Sequence, residues 1–192
     1  MRNLIKLLAI GLLAASFSAA QAASITLNPS ATTVAVGGTV DVTISFDFTD
    51  VATLGGAFDL TWDNTVLAFD SWTISCTICE PAFGSNGTLS PGLITSIAFG
   101  SWSGINTAGP LGVATFSALN LGDANFGIHD NGDTGPSGWF IDFTTYEEMV
   151  ITYNTGAAVN VTAVPVPAAF WMFSCALTSL MWMKKRKIIT AN

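Results

Sequence analysis

Residues 39–48 read Thr-Val-Asp-Val-Thr-Ile-Ser-Phe-Asp-Phe. The alternation is unbroken. Val40, Val42, Ile44, Phe46 and Phe48 fall on one face, and Thr39, Asp41, Thr43, Ser45 and Asp47 on the other. A period of two over this length is the signature of a strand with one buried face, because successive side chains of extended backbone point to opposite sides. Gly37-Gly38 just before it marks a turn from an earlier strand at residues 32–36.

The same pattern continues on either side. Residues 24–27 open the region as a strand, and Ala57-Phe-Asp-Leu-Thr-Trp62 alternates again. Asp63-Asn64 turns the chain and residues 66–69 resume it. Residues 93–99, 112–119, 139–143, 149–153 and 157–161 complete the set. No window between the two ends of the chain holds a helical period. Short strands separated by Gly, Pro, Asn and Asp predict an all-β fold, a β-sandwich of roughly nine strands. Residues 23–163 are enough for one domain with a single core.

Charge is distributed unevenly. All six Lys and Arg residues lie outside this region, at Arg2, Lys6 and the cluster Lys184, Lys185, Arg186 and Lys187. All thirteen carboxylates lie inside it, so the domain carries −13 where the whole chain carries −7. Such a domain repels phosphate backbones, which excludes nucleic acid as a partner. Neutral glycans, cationic protein surfaces or divalent metals remain.

The two ends read as targeting segments. Residues 1–22 have the order of a secretory signal peptide, expected as an N-terminal helix. Arg2 and Lys6 come first, an apolar run at residues 8–15 follows, and Ala20-Gln21-Ala22 fits small-x-small cleavage. At the other end Val164-Pro-Val-Pro167 opens a segment whose residues 168–183 carry no charge, closed by the basic cluster. As a helix that run rises about 24 Å, a little short of a hydrocarbon core of roughly 30 Å. Trp171 and Trp182 sit near its ends, where amphipathic rings favour the interface, and the cations hold the tail on the cytoplasmic side. The segments are therefore 1–22 (signal), 23–163 (domain), 164–187 (a single C-terminal transmembrane helix with its flanks) and 188–192 (cytoplasmic tail end).

The C-terminal order of parts resembles the PEP-CTERM sorting signal of Gram-negative bacteria. Val164, Pro165, Val166, Pro167, Ala168, Ala169 and Trp171 are similar to its VPxPAAxW variant, although Val166 stands where the family name places Glu, and Ser174-Cys175 where Gly and Ser are usual. The resemblance implies an exosortase as processing partner, cleavage near residues 165–168, passage through the inner membrane and delivery to the cell surface or extracellular matrix. A second resemblance covers most of residues 24–163. Ile25-Thr-Leu-Asn-Pro29, the Val36-Gly-Gly-Thr-Val40 turn, Leu54-Gly-Gly-Ala-Phe-Asp-Leu-Thr-Trp-Asp-Asn-Thr-Val-Leu-Ala-Phe69 and Gly112-Val-Ala-Thr-Phe-Ser-Ala118 are similar to the cohesin-like, carbohydrate-binding-module-type sandwich. That implies binding and scaffolding rather than catalysis, with an extracellular polysaccharide or a surface protein as ligand.

Few residues suggest chemistry. His129 is the only histidine, sits beside Asp130-Asn-Gly, and reads as a turn residue; no G-x-S-x-G nucleophile signature accompanies it. Nothing points to an enzyme. Asp123, Asn125, Asp130, Asn131 and Asp133 are oxygen donors within eleven residues, with Gly122, Gly127, Gly132 and Gly135 between them. Read as a loop, they are either a structural calcium site, the one cofactor the sequence suggests, or plain turn chemistry. Cys76-Thr-Ile-Cys79 in an exported domain reads as a disulfide that staples a small loop. Trp102 and Trp139 lie in Ser-, Gly-rich surroundings and are candidates for a glycan-stacking platform, with burial in the core as the other reading.

Overall fold

The computed structural model describes residues 23–130, 140–164, 172–173 and 175–178. The signal segment, Asn131, Asp133, Trp139, residues 165–171 of the sorting motif and the basic cluster lie outside the described residues. No helix among the described residues is long and apolar enough to cross a membrane.

The domain is a sandwich of two sheets. Its strands are β1 (Ser24–Pro29), β2 (Thr33–Ala35), β3 (Thr39–Asp47), β4 (Thr53–Trp62), β5 (Leu67–Ile74), β6 (Ser85–Ser90), β7 (Leu93–Ile105), β8 (Ala108–Ala118), β9 (Gly122–Asp130), β10 (Ile141–Asp142), β11 (Thr152–Asn154) and β12 (Ala158–Thr162). One sheet runs β11-β1-β3-β8-β5. The other runs β2-β12-β9-β4-β7-β6, with β10 added to β4. Pairing is antiparallel except for β1–β11 and β12–β2, which are parallel.

β3 is central to the first sheet, and its alternation is realised in full. Val40, Val42, Ile44, Phe46 and Phe48 are all buried. Its polar face pairs across to β8, where the Thr115 hydroxyl donates to Asp41 at 2.7 Å. Two aromatic clusters fill the space between the sheets. Phe46, Phe48, Phe99 and Phe140 pack with neighbouring ring centroids 5.5–5.8 Å apart at one end. Trp62, Phe69, Phe116 and Phe126 pack at 5.1–5.8 Å at the other. The buried Trp62 indole donates its N–H to the Leu67 carbonyl at 3.1 Å, so this polar atom is satisfied inside the core.

Twelve strands appear among the described residues, against roughly nine expected. β6 was missed because Ser-Asn-Gly-Thr-Leu-Ser has no apolar period; it is an edge strand held by its backbone ladder to β7. β9 was missed for a different reason. Its Ala124, Phe126 and Ile128 do alternate with polar neighbours and are buried, but the intervening Asp, Asn and Gly residues read as turn chemistry. β4 and β7 both extend beyond the predicted segments, because Gly55, Gly56 and Gly100 allow the two backbones to continue side by side.

Three turns repeat one device. Asp47 accepts from Thr49, Asp63 from Thr65, and Asp142 from the N–H groups of Thr144 and Thr145. These bonds to the charged form hold all three carboxyls below the ordinary aspartate value. Each closes a local Asx turn that starts the chain back toward the opposite strand.

Candidate docking site

The site grows from the crossing between the sheets. After β5 the chain leaves the first sheet, and the amides of Ser75 and Cys76 both donate to the Leu111 carbonyl. Cys76 and Cys79 are joined by a disulfide, with Cα atoms 5.5 Å apart. The tightened loop then reaches β7 of the second sheet. The Glu80 amide donates to the Gly100 carbonyl at 2.8 Å. One Glu80 carboxylate oxygen, Oε1, accepts from the Ser101 hydroxyl and from the Trp102 amide, each at 3.0 Å. A single turn of 3₁₀ helix, Pro81–Phe83, follows. It lays the Phe83 ring over Gly100, where a Cβ would stand 3.2 Å from that ring. Phe83 meets Trp102 edge to face, with centroids 4.7 Å apart.

The result is a groove of about 460 Å³. Gly55, Gly56 and Ala98 form its floor, and Leu54, Phe83, Trp102 and Ile141 its walls. Ser85 contributes the one hydroxyl among the side chains that line it. Trp102 is 70% exposed, so most of its indole faces solvent. Carboxylate residues border the groove along the backbone. Glu80 braces the Trp102 backbone, Asp142 follows Ile141, and Glu148 bridges directly to Ile141. No Lys or Arg occurs anywhere in residues 23–163 to neutralise them.

The sequence candidates fall as follows. Trp102 is on the surface and not in the core; Trp62 and Trp72 take the inward positions instead. The calcium reading assumed a loop, and the described part of it, residues 122–130, is instead a strand. Asp123 and Asn125 sit on β9 and Asp130 at its end. Seven residues of extended chain separate Asp123 from Asp130 by about 23 Å, so the two cannot ligate one ion. Asp123 accepts from Asn160 of β12 instead. No group of three or more His, Cys, Asp or Glu side chains among the described residues is arranged to hold a metal ion. His129 is likewise a strand residue, not a turn residue. It lies opposite Asp59, and its Nε2 is 3.3 Å from the Thr61 hydroxyl. Glu80 and Phe83 were missed as site residues. Nothing local marks them, since their partners are some twenty residues away on β7.

The disulfide lies in the loop that carries this wall, which sets its test. Cys76→Ser/Cys79→Ser should cost about 2 kcal/mol at most, since the closed loop is so short. Thermal unfolding of the variant beside the parent measures it, and a loss well above that value would mean that the bond shapes the folded core.

Two antiparallel-rich sheets around one core, with an aromatic groove at one end, define a domain of the β-sandwich class. Solved structures similar to this fold include cohesin modules. The seventh ScaB type I cohesin of Pseudobacteroides cellulosolvens is 20% identical, over 76% of this chain and 96% of that one, with a TM-score of 0.58. A cohesin module from a family 33 glycoside hydrolase of Clostridium perfringens is 10% identical over 74% and 98%, also at 0.58. The sixth cohesin of Acetivibrio cellulolyticus scaffoldin B, solved in complex with a Cel5 dockerin, is 18% identical over 72% and 99%, at 0.54. No protein-family profile matches the chain, and no curated protein sequence matches it. The likeness establishes a cohesin-like sandwich.

Proposed function

We propose that this is an exported, non-catalytic docking module that binds a protein partner through the Trp102 groove. The lining of the groove carries the reading. A sugar ring laid on this floor would find no side-chain hydrogen-bond partner beneath it, since Gly55, Gly56 and Ala98 have none and Ser85 is the one hydroxyl of the lining. An apolar side chain fits a floor of glycine and alanine, and Lys or Arg beside it would meet the bordering carboxylate residues. Some of the structural neighbours are complexes of a cohesin with a dockerin, which supports a protein as the ligand class. The C-terminal segment beginning at Val164 is then a sorting signal. An exosortase would cut it and leave the module at the cell surface or in the extracellular matrix.

Trp102→Ala tests the site. Central aromatic anchors commonly contribute 2 kcal/mol or more, so the variant should bind partner protein roughly thirty-fold more weakly or worse, with unchanged far-ultraviolet circular dichroism. Titration against a protein captured from the producing organism's matrix reads the change. Equal affinity of variant and parent would remove the groove from the binding surface.

A further inference from the structure

The sandwich is polarised along its strands. The register fixes which loops share an end. Val161 pairs with Gly122, Thr61 with both Gly127 and Leu93, and Leu93 with Ser90. The chain therefore leaves β12 at Val164 at the same end as the β4–β5, β6–β7 and β8–β9 turns. At that end Leu89, Leu119 and Leu121 are 56%, 47% and 61% exposed. Between Leu89 and Leu119 lies an apolar cavity of about 390 Å³, floored by Trp62 and Phe69 and edged by Pro91. Six carboxylates stand at the opposite end, at Asp47, Asp50, Glu80, Asp142, Glu147 and Glu148. Asp41, Asp59, Asp63, Asp70 and Asp123 lie in the near half, and of these only Asp63 and Asp123 stand at or beside the turns of that end.

The sequence supplies the occupant. Only residues 163–167, two of them proline, separate the last strand from the uncharged run at 168–183. Five such residues span about 16 Å at most. If that run enters a bilayer, the end bearing the three leucines must face it and the acidic end must point away.

We infer that the Leu89–Leu119–Leu121 end is a membrane-resting surface, which a bilayer interface covers while the chain is still anchored. The inference rests on the reading of residues 164–187 as a membrane segment. Its chemistry fits a zwitterionic headgroup layer. Exposed leucines partition into the interface, and the turns around them carry no cation to select anionic lipid. The same orientation presents the Trp102 groove to the outside, since Gly55, Trp102 and Ile141 lie at the far end.

The test uses residues 23–192, the chain after removal of the signal segment, with Cys175→Ser, reconstituted in phosphatidylcholine vesicles that contain a spin-labelled phospholipid. One sample carries Leu121→Cys and another Asp50→Cys, each with a thiol-linked fluorophore. Vesicle flotation reports anchoring, and quenching reports contact. The expected result is flotation of both samples, with quenching and a blue shift at position 121 and neither at position 50. Flotation with position 121 unquenched overturns the surface alone and leaves the anchor standing. Failure to float overturns the anchor, and the surface with it. Equal shielding of position 121 without vesicles overturns it in favour of cover by the chain's own apolar segment or a second copy.

Discussion

Replacing Phe116 by Ala should cost about 3–5 kcal/mol, which for a domain of this size lowers the melting temperature by roughly 10 °C or more. Phe116 is fully buried on β8 of the first sheet. Its ring meets Trp62 and Phe126 of the second sheet at 5.4 and 5.1 Å, and Phe69 of its own sheet at 5.8 Å. Removing it leaves a void against three large rings. They cannot all close in, because Trp62 is held by its bond to the Leu67 carbonyl. Urea unfolding followed by tryptophan fluorescence measures the loss directly. A loss below about 1 kcal/mol would mean that the two sheets do not meet through this residue.

Gly55→Ala should be at least as damaging, for a reason of backbone rather than volume. Gly55 has φ of +120°, a region that L side chains rarely enter. A Cβ there would stand 2.2 Å from the Phe99 carbonyl oxygen and 2.4 Å from the Gly100 Cα. Both are backbone atoms of β7, so relief requires the two central strands of the sheet to part. Strain and lost pairing together should exceed about 3 kcal/mol. The same substitution fills the floor of the groove. Chemical denaturation of the variant beside the parent measures the loss. Wild-type stability for Gly55→Ala would contradict the β4–β7 register.

Much of the fold is legible in the chain because its strands are half-buried. β3 has a strict period of two, the later parts of β4 and β8 follow it at Phe58, Leu60 and Trp62 and at Ala114, Phe116 and Ala118, and these inward residues are the core. The turns at residues 47–49, 63–65 and 142–145 can also be read, since Asp followed by Thr two or three residues later closes an Asx turn locally. β9 could have been found from Ala124, Phe126 and Ile128 had the polar positions between them been given less weight. β6 could not, because an edge strand of Ser, Asn, Gly and Thr takes its conformation from the ladder beside it. The groove was legible in one residue only. Trp102 stands out by type and setting, but its surroundings come from Leu54, Phe83 and Ile141, brought together by a crossing loop and a late short strand. No local pattern encodes that meeting.

A protein-binding groove makes one demand that a glycan-binding one does not. The mature protein should be passed over the producing organism's extracellular matrix after the matrix has been split into a protease-treated portion and a polysaccharide-depleted portion. The account predicts retention on the polysaccharide-depleted portion, its loss after protease, and its loss again in the Trp102→Ala variant. Retention that survives protease and disappears with the polysaccharide would contradict the account and assign Trp102 to a sugar.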